Sequence, residues 1–257
     1  PSRLCDSLAH TPRPPQDGPC IRYSPVPAHP AHRPRTLRHS HPTLGLRANL
    51  PQFCLLVLIN AFVGGLLGLQ RTIVPLLGDR EFHLASATLA TSFIISFGLT
   101  KALANLISGP IADRWGRKLT LILGWLFGIP IPFILIAATR FEHIVAANIL
   151  LGLNQGLAWS MTVNMKIDLV GPHRRGLALG LNECAGYAAV GVTAWLTGLI
   201  AAARGLRPDP FYLGIAYAVL GVLLSITLVR DTSRHVEHEI RTQPTAHDPL
   251  SFFHIFS

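Results

Sequence analysis

Gly109-Pro110-Ile111-Ala112-Asp113-Arg114-Trp115-Gly116-Arg117-Lys118 is a short, highly charged stretch that separates two long apolar segments. Upstream, residues 85–108 contain one charged side chain, Lys101, and downstream, residues 119–139 contain none. Either segment can cross a bilayer as a helix, because ~20 residues rising about 1.5 Å each span its ~30 Å hydrocarbon core. The stretch is therefore predicted to be a tight turn between two membrane helices, and its cations place it in the cytoplasm by the positive-inside rule.

The composition is that of a multi-pass membrane protein. The 257 residues are 49% hydrophobic and 14% charged, with a mean hydropathy of +0.40, whereas soluble domains are roughly 25% charged. The net charge of +9 arises in the tail and in loops, where membrane topology accounts for it, so we expect no nucleic-acid partner. The sequence has no zinc-like cysteine spacing, nucleophile elbow or phosphate loop. We therefore expect no metal, no cofactor and no enzymatic activity.

The charged stretch resembles the signature loop between the second and third helices of the major facilitator superfamily of secondary transporters. Its pattern is Gly-x-x-x-Asp-Arg-x-Gly-Arg-Lys, and the fixed positions are filled by Gly109, Asp113, Arg114, Gly116, Arg117 and Lys118. On physical grounds, Gly109 is expected to let neighbouring helices approach closely, and Gly116 to allow a sharp reversal. Asp113 needs a partner, either Arg117 or the positive N-terminus of another helix.

Apolar segments and the loops between them define the topology. Residues 1–50, rich in Pro, His and Arg, are predicted to be a disordered cytoplasmic tail, and residues 231–257 resemble the start of a central cytoplasmic loop. Short external turns and cationic internal loops place both ends in the cytoplasm. Six membrane spans are predicted, at residues 52–77, 85–108, 119–139, 144–165, 176–203 and 210–229.

Six helices are one half of the twelve-helix fold that the resemblance implies. The expected architecture is an all-α bundle of two inverted three-helix repeats, the N-terminal half of a transporter. The chain is expected to reside in the lipid bilayer of the plasma (cytoplasmic or inner cell) membrane. It begins with Pro rather than Met, so we expect a fragment or a mis-started reading frame, and the expected partner, a C-terminal six-helix half, is missing.

Polar side chains inside the spans are candidates for the transport pathway. Such groups either join helices or line a cavity. Arg71 is either near the external end, snorkelling to the interface, or faces an aqueous cavity if its helix continues. In the resembling family the first and fourth helices line the path. The cavity candidates are Asn60, Gln70, Arg71, Lys101, Asn154, Gln155, Trp159 and Asn182.

Two carboxylates are candidates for roles beyond structure. Glu183 lies seven residues into the fifth span, which makes it the first candidate for a proton carrier. The alternative is a static ion pair between Glu183 and Lys101. Asp168, in a predicted internal loop over residues 166–176, is expected from the resemblance to accept a salt bridge from Arg114 or Arg117. Solvated charges are the alternative there.

The sequence departs from the related proton-coupled transporters at the fourth and fifth helices. Gln155 and Gly156 match the end of an Arg-x-x-Gln-Gly pattern, but Gly152 occupies the Arg position. The Gly-Pro pattern of the related antiporters' fifth helix is absent. Both departures weaken the case for proton coupling and for drug/proton antiport.

The function implied by the resemblance is secondary active transport of a small solute by alternating access. In this mechanism Asp113 latches the outward-open state against the partner half, while Arg117 and Lys118 balance charge. Protons are the candidate coupling ion, and the substrate is left open. The alternatives are uniport without proton coupling, a half-transporter that needs a partner half, and a six-helix fragment that does not transport.

Overall fold

The structure is a computed structural model that describes residues 44–83 and 91–242. Within these ranges the chain is helical and contains no strand. Six helices are long and apolar enough to cross a membrane, which confirms the predicted all-α class with six spans. Their bounds are α1 Leu50–Arg80, α2 Thr91–Trp115, α3 Arg117–Ile136, α4 Phe141–Val170, α5 Arg175–Arg204 and α6 Asp209–Thr227.

Helices extend beyond the apolar segments from which they were predicted. Residues 109–115 are the last turns of α2, so the prediction that the whole charged stretch is a turn was wrong. The reversal is confined to Gly116, whose φ of +91° favours glycine, as expected for this position. Hydropathy marks where a helix crosses hydrocarbon, whereas backbone hydrogen bonding continues into the charged ends.

The segment before α1 is bonded to the end of α4. The Gly45 N–H donates to the Leu169 carbonyl at 2.9 Å, and the Asn49 side-chain amide donates to the same oxygen at 3.2 Å. Residues 44–49 are thus ordered, although they belong to the predicted disordered tail. The rest of that tail, and residues 243–257 of the predicted central loop, lie outside the described residues.

Helices α1 and α5 pack backbone to backbone. A Cβ on Gly64 would lie 2.3 Å from the Gly186 carbonyl oxygen, and one on Gly68 would lie 2.3 Å from the Val190 oxygen. Gly64 and Gly68 thus form a small-x-x-x-small packing face on α1. Contacts recur at one constant register, in the pairs Asn60–Asn182, Gly64–Gly186, Gly68–Val190 and Thr72–Ala194.

Helices α4 and α2 repeat this arrangement. A Cβ on Gly152 would lie 2.8 Å from the Phe97 oxygen, and one on Gly156 would lie 2.3 Å from the Ala104 Cβ. In addition, α1 packs on α5 and α6, while α4 packs on α2 and α3. The first helix of each three-helix repeat thus packs on the last two helices of the other. Two inverted repeats produce this exchange.

Two π-helical segments interrupt the spans. Ile94–Leu99 lies in α2 and Gln155–Trp159 lies in α4, and the two helices pack together in this region. Such segments alter the side-chain register locally and are frequent at functional sites. Here they position Phe97 and Trp159, whose surroundings are described below.

The two ends of the bundle are held by different side chains. We call the end at which α2 meets α3 the Gly116 end. At the opposite end, Arg207 forms an ion pair with Glu81 after α1. Its Nη1 atom also faces the last carbonyls of α3, at 3.3 Å from the Ile136 oxygen and 2.5 Å from the Ala138 oxygen. A cation there is favoured by the negative C-terminus of a helix.

Candidate functional site

Arg117 joins three helices at the Gly116 end. Its Nη1 atom lies 3.1 Å from Asp113 Oδ1 of α2, and its Nε atom lies 3.5 Å from Asp168 Oδ2 of α4. The Arg117 and Asp168 side chains are only 16% and 13% exposed, whereas Asp113 is 74% exposed. The expected Asp113–Arg117 pair is therefore present. Of the two arginines expected for Asp168, the structure places Arg117 beside it.

Asp168 also receives a hydrogen bond from beyond α6. The hydroxyl of Thr232, a buried residue, donates to Asp168 Oδ2 at 2.7 Å. The carboxylate is therefore held between the Arg117 guanidinium and a fixed hydroxyl rather than solvated. Asp168 itself lies within α4, which continues to Val170, and not in a loop as predicted.

Asp231 caps the start of α3, a role that the sequence analysis missed. Its Oδ2 atom accepts a 2.8 Å hydrogen bond from the Lys118 N–H, and its Oδ1 atom accepts one from the Ser233 N–H at the same length. Burial alone would raise the pKa of Asp231. The bonds from Ser233 and Lys118, together with the Arg117 charge, hold it below its ordinary value of 3.8. Lys118 Nζ donates to the Ile226 carbonyl at 2.8 Å.

The remaining signature residues lie on the bundle surface. A Cβ on Gly109 would meet nothing within 4 Å, so the predicted close helix approach at Gly109 is wrong for the described part of the chain. Arg114 and Asp113 are exposed on the same end of α2. The space around Gly116 is smaller than that around Gly109, because a Cβ on Gly116 would lie 2.8 Å from Asp231 Oδ2. The signature thus combines an internal ion network with an exposed surface.

Glu183 lies in a hydrogen-bonded group formed by α1, α4 and α5. The indole N–H of Trp159 and the side-chain amide of Asn182 each donate to Glu183 Oε1 at 2.9 Å. Asn182 is linked onward to α1, because the Asn60 amide donates to its carbonyl at 2.8 Å. The Thr162 hydroxyl lies 3.0 Å from Asn60 Oδ1. The structure therefore brings three other predicted site residues, Trp159, Asn182 and Asn60, into one hydrogen-bonded group with Glu183.

Other predicted cavity residues join helices instead. Asn154 donates to the Gly124 carbonyl of α3 at 2.9 Å, and Gln155 donates to the Val63 carbonyl of α1 at 2.8 Å. Both side chains are fully buried, so their burial does not support lining of a pathway. Gln70 is also fully buried, and neither polar atom of its side chain has a hydrogen-bond partner among the described residues.

Arg71 and Lys101 lie on a flank that is not covered by the bundle. Helix α1 continues to Arg80, so Arg71 lies inside the span, where a charge facing lipid costs ~3 kcal/mol or more. Its guanidinium carbon lies 6.0 Å from the Phe93 ring centroid. Lys101 Nζ lies 5.3 Å from the Trp159 ring. In the described residues no ion pair within 4.0 Å links Lys101 to Glu183, although the Glu183 charge acts on Lys101.

Lys166 is a buried lysine that the sequence analysis placed in a loop. It lies in α4 and is fully buried, with Nζ donating to the Leu56 carbonyl of α1 at 3.2 Å. The predicted span ended at Met165 because hydropathy falls there. The helical spacing from Thr162 was the signal that could have placed Lys166 on the same buried face of the helix.

Gly152 occupies a position where no larger side chain fits. As noted, a Cβ there would lie 2.8 Å from the Phe97 oxygen, and it would lie 3.0 Å from the Lys101 backbone nitrogen. The close contact between α2 and α4 therefore explains why glycine replaces arginine of the Arg-x-x-Gln-Gly pattern at this position.

The described residues contain no group of three or more His, Cys, Asp or Glu that could hold a metal ion.

Comparisons with known proteins find curated relatives that match parts of this chain. The multidrug resistance protein 1 of Bacillus subtilis (strain 168) is 27% identical over 192 residues, which are 74% of this chain and 48% of that protein. The solute carrier family 2 facilitated glucose transporter member 10 of Xenopus tropicalis is 30% identical over 121 residues, 47% of this chain and 20% of that protein. The chain thus spans half or less of the length of these curated relatives.

A family model matches a larger part of the chain than either relative. It is the model described as Major Facilitator Superfamily, and it matches residues 53–256, which include α2 to α6 and all but the first three residues of α1. The six-helix bundle and the Arg117 network agree with this match. The chain belongs to the Major Facilitator Superfamily.

Proposed function

We propose that this chain is the N-terminal half of a secondary active transporter that moves a small solute across a membrane by alternating access. The observation that carries the proposal is the Arg117 bridge between Asp113 of α2 and Asp168 of α4. It ties three helices together at one end and leaves Asp113 74% exposed on the surface. The names of the two relatives, a multidrug resistance protein and a facilitated glucose transporter, support transport.

The exposed Asp113 is the proposed latch. One of its oxygens faces Arg117, and the exposed remainder of the carboxylate is available to the N-terminus of a helix in the C-terminal half. Arg117 and Lys118 balance its charge at the Gly116 end, which we place in the cytoplasm of a plasma-membrane protein because of the cations there. Breaking this contact releases the outward-open state and lets the halves rock.

Glu183 is the proposed proton carrier if transport is coupled to protons. Its carboxylate is partly exposed, and its hydrogen-bonded group connects the exposed flank to the buried amide of Asn60. Protonation would remove the acceptor charge to which Trp159 and Asn182 donate, and so would change the contacts between α4 and α5. In this proposal, proton coupling occurs at Glu183, where binding of a proton changes the packing of α4 against α5.

The latch is tested with Asp113→Asn in the protein made from its full reading frame. We expect transport to fall sharply while membrane insertion stays intact, because the amide lacks the charge that attracts a helix N-terminus. Asp79→Asn is the matched control, since Asp79 is exposed at the opposite end of α1. Unchanged uptake or efflux in Asp113→Asn would show that the latch does not exist.

Proton coupling is tested with Glu183→Gln. We expect the variant to lose the pH dependence of transport in vesicles while it keeps solute exchange. A pH profile identical to that of the unmodified protein would remove Glu183 from the mechanism. Full solute flux without any substrate-dependent proton signal in the unmodified protein would instead establish uniport, the alternative that the glycine at position 152 favours.

A half-transporter that pairs with a second copy is the remaining alternative. Cys184 of α5 is a free, exposed thiol and reports on such pairing. Crosslinking of this chain in membranes through Cys184 should give only monomer under our proposal. Efficient dimer formation, together with transport by this chain alone, would support the paired half-transporter.

A further inference from the structure

Cations and aromatic rings alternate along one flank of the bundle. Four helices contribute to this flank, which we call the cation–aromatic strip and which consists of Arg71, Phe93, Phe97, Lys101, Trp159 and Tyr187. Phe93 and Phe97 are stacked with centroids 5.0 Å apart, and Trp159 meets Tyr187 edge to face at 5.5 Å. Arg71 lies against Phe93, and Lys101 lies 5.7 Å from Phe97 as well as close to Trp159.

The strip has accessible ends. Tyr187 is 58% exposed, and Arg71 is exposed at the other end of the strip, whereas Phe97 and Trp159 are buried behind them. The aromatic faces attract the cations and hold their side chains in place, but they supply no negative charge. Each cation keeps N–H donors that the rings do not satisfy.

The charge of the strip is positive. Two cations, Arg71 and Lys101, lie on it and contact its aromatic rings. One carboxylate, Glu183, lies beside it and accepts hydrogen bonds from Trp159 and Asn182. The strip thus carries two cationic side chains against this one carboxylate.

We infer that the transported solute is an amphiphilic organic anion, with a carboxylate or sulfonate bound by Arg71 and Lys101 and a planar ring packed against Tyr187. This inference rests on the proposed transport function and assigns its substrate class. Guanidinium and ammonium groups hold carboxylates through charge-assisted hydrogen bonds. The exposed aromatic face stacks on a planar ring, and the same positive surface disfavours cationic drugs.

A lipid headgroup shares this chemistry, because an anionic phospholipid also joins a negative group to an apolar body. The strip lies within spans rather than at their ends: Arg71 is well inside α1, and Lys101 is well inside α2. A headgroup binds most readily at the interface. We therefore assign the strip to a soluble solute, and the experiment separates the two sources.

The test measures equilibrium binding to the protein from its full reading frame in phosphatidylcholine nanodiscs, with empty nanodiscs as the blank. The probes are fluorescein, a planar aromatic anion, and rhodamine 123, a planar aromatic cation. We expect fluorescein to bind more tightly than rhodamine 123. Lys101→Gln and Arg71→Gln should each raise its Kd about tenfold, the effect of losing a charge-assisted hydrogen bond. Arg204→Gln, at the exposed end of α5, should leave Kd unchanged.

A charge-reversal variant is added to the binding experiment. Lys101→Glu should reverse the preference in favour of rhodamine 123. Tighter binding of the cation by the unmodified protein, equal binding of fluorescein in all variants, or no binding of any arene carboxylate or sulfonate in a panel would overturn the inference. Displacement of fluorescein by phosphatidylglycerol in the nanodisc would assign the strip to lipid and also overturn it.

Transport is read separately, as counterflow of the same dyes in proteoliposomes. Binding of fluorescein without any flux would contradict the proposed transport function but keep the anion site. Flux of rhodamine 123 without fluorescein binding would contradict the anion site but keep transport. The two proposals therefore fail in distinguishable ways.

Discussion

Asp231 Oδ2 lies 2.8 Å from the backbone nitrogen of Lys118, so a carboxylate beyond α6 caps the helix that follows the signature. Gly116, at the N-cap position of α3, has no side chain to do so. The contact joins residues that are 113 positions apart. It therefore fixes the segment after α6 to the signature stretch, residues 109–118.

Removal of this cap should destabilise the Gly116 end. We expect Asp231→Ala to cost about 1 kcal/mol, because the first turn of α3 loses its acceptor, and Asp231→Asn to cost much less, because an amide oxygen also caps helices. Thermal unfolding in detergent measures both. Glu142→Gln is the control, since Glu142 is 75% exposed. Equal losses from the alanine and asparagine variants would show that charge, and not capping, makes the contribution.

The close contact of α2 with α4 provides a second test. Gly152→Ala should destabilise the bundle by about 1–3 kcal/mol, because the added Cβ meets backbone atoms that cannot move aside. Gly191→Ala in α5 is the matched control, since a Cβ there meets nothing within 4 Å. This variant should be neutral or gain up to about 1 kcal/mol from helix propensity. Similar unfolding temperatures for both variants would contradict the packing described here.

At the opposite end, Arg207 should matter and Arg204 should not. Arg207→Gln loses the ion pair with Glu81 and the contacts with the last carbonyls of α3, which should cost about 1–2 kcal/mol. Arg204, 71% exposed and 3.9 Å from Asp209, should contribute at most about 0.5 kcal/mol. The unfolding temperatures of the two glutamine variants measure this difference in stability. A larger loss from Arg204→Gln than from Arg207→Gln would refute the prediction.

The short helix after α6, which we call α7 (Ser233–Thr242), should respond to pH through His235. Burial, and then the nearby His238, lower the pKa of His235 below its ordinary value of 6.5. The folded state therefore favours neutral imidazole. Its contribution is complete above pH 6.5 and is lost as pH falls from there through the lowered pKa. Helix α7 should loosen in mild acid.

Hydrogen exchange measures this response. Amides of α7 in the unmodified protein should exchange faster at pH 5 than at pH 7.5, after correction for the intrinsic rate. His235→Gln should abolish most of the difference, whereas His173→Gln, on an exposed turn, should preserve it. A pH response that persists in His235→Gln would assign the titration to another group.

The sequence predicted the spans well because long apolar segments have few alternatives to a membrane helix. It also offered Arg117 as one of two partners for Asp113, and the structure places the two side chains 3.1 Å apart. It missed Lys166 because hydropathy falls before the helix ends. Asp231 was missed because its partner Lys118 lies 113 residues away, and nothing local marks that contact.

Whether a polar residue faces a cavity or another helix was not predictable. Asn154 and Trp159 occupy the same span, yet one donates to the Gly124 carbonyl and the other to Glu183 at the edge of the exposed flank. Helical spacing is altered between them by the π-helical segment Gln155–Trp159, which rotates the side chains relative to a regular helix. An even 3.6-residue period therefore could not assign their faces.

The constant register between α1 and α5 limits how the described bundle can move. Gly64 and Gly68 bring the two backbones into contact. Helix α5 can therefore shift along α1 only if each glycine moves to the next contact point, which is a step of about 6 Å for four residues. Smaller displacements push one backbone into the other. The two helices therefore resist gradual sliding along one another. The α1–α5 pair is therefore expected to move as one rigid unit.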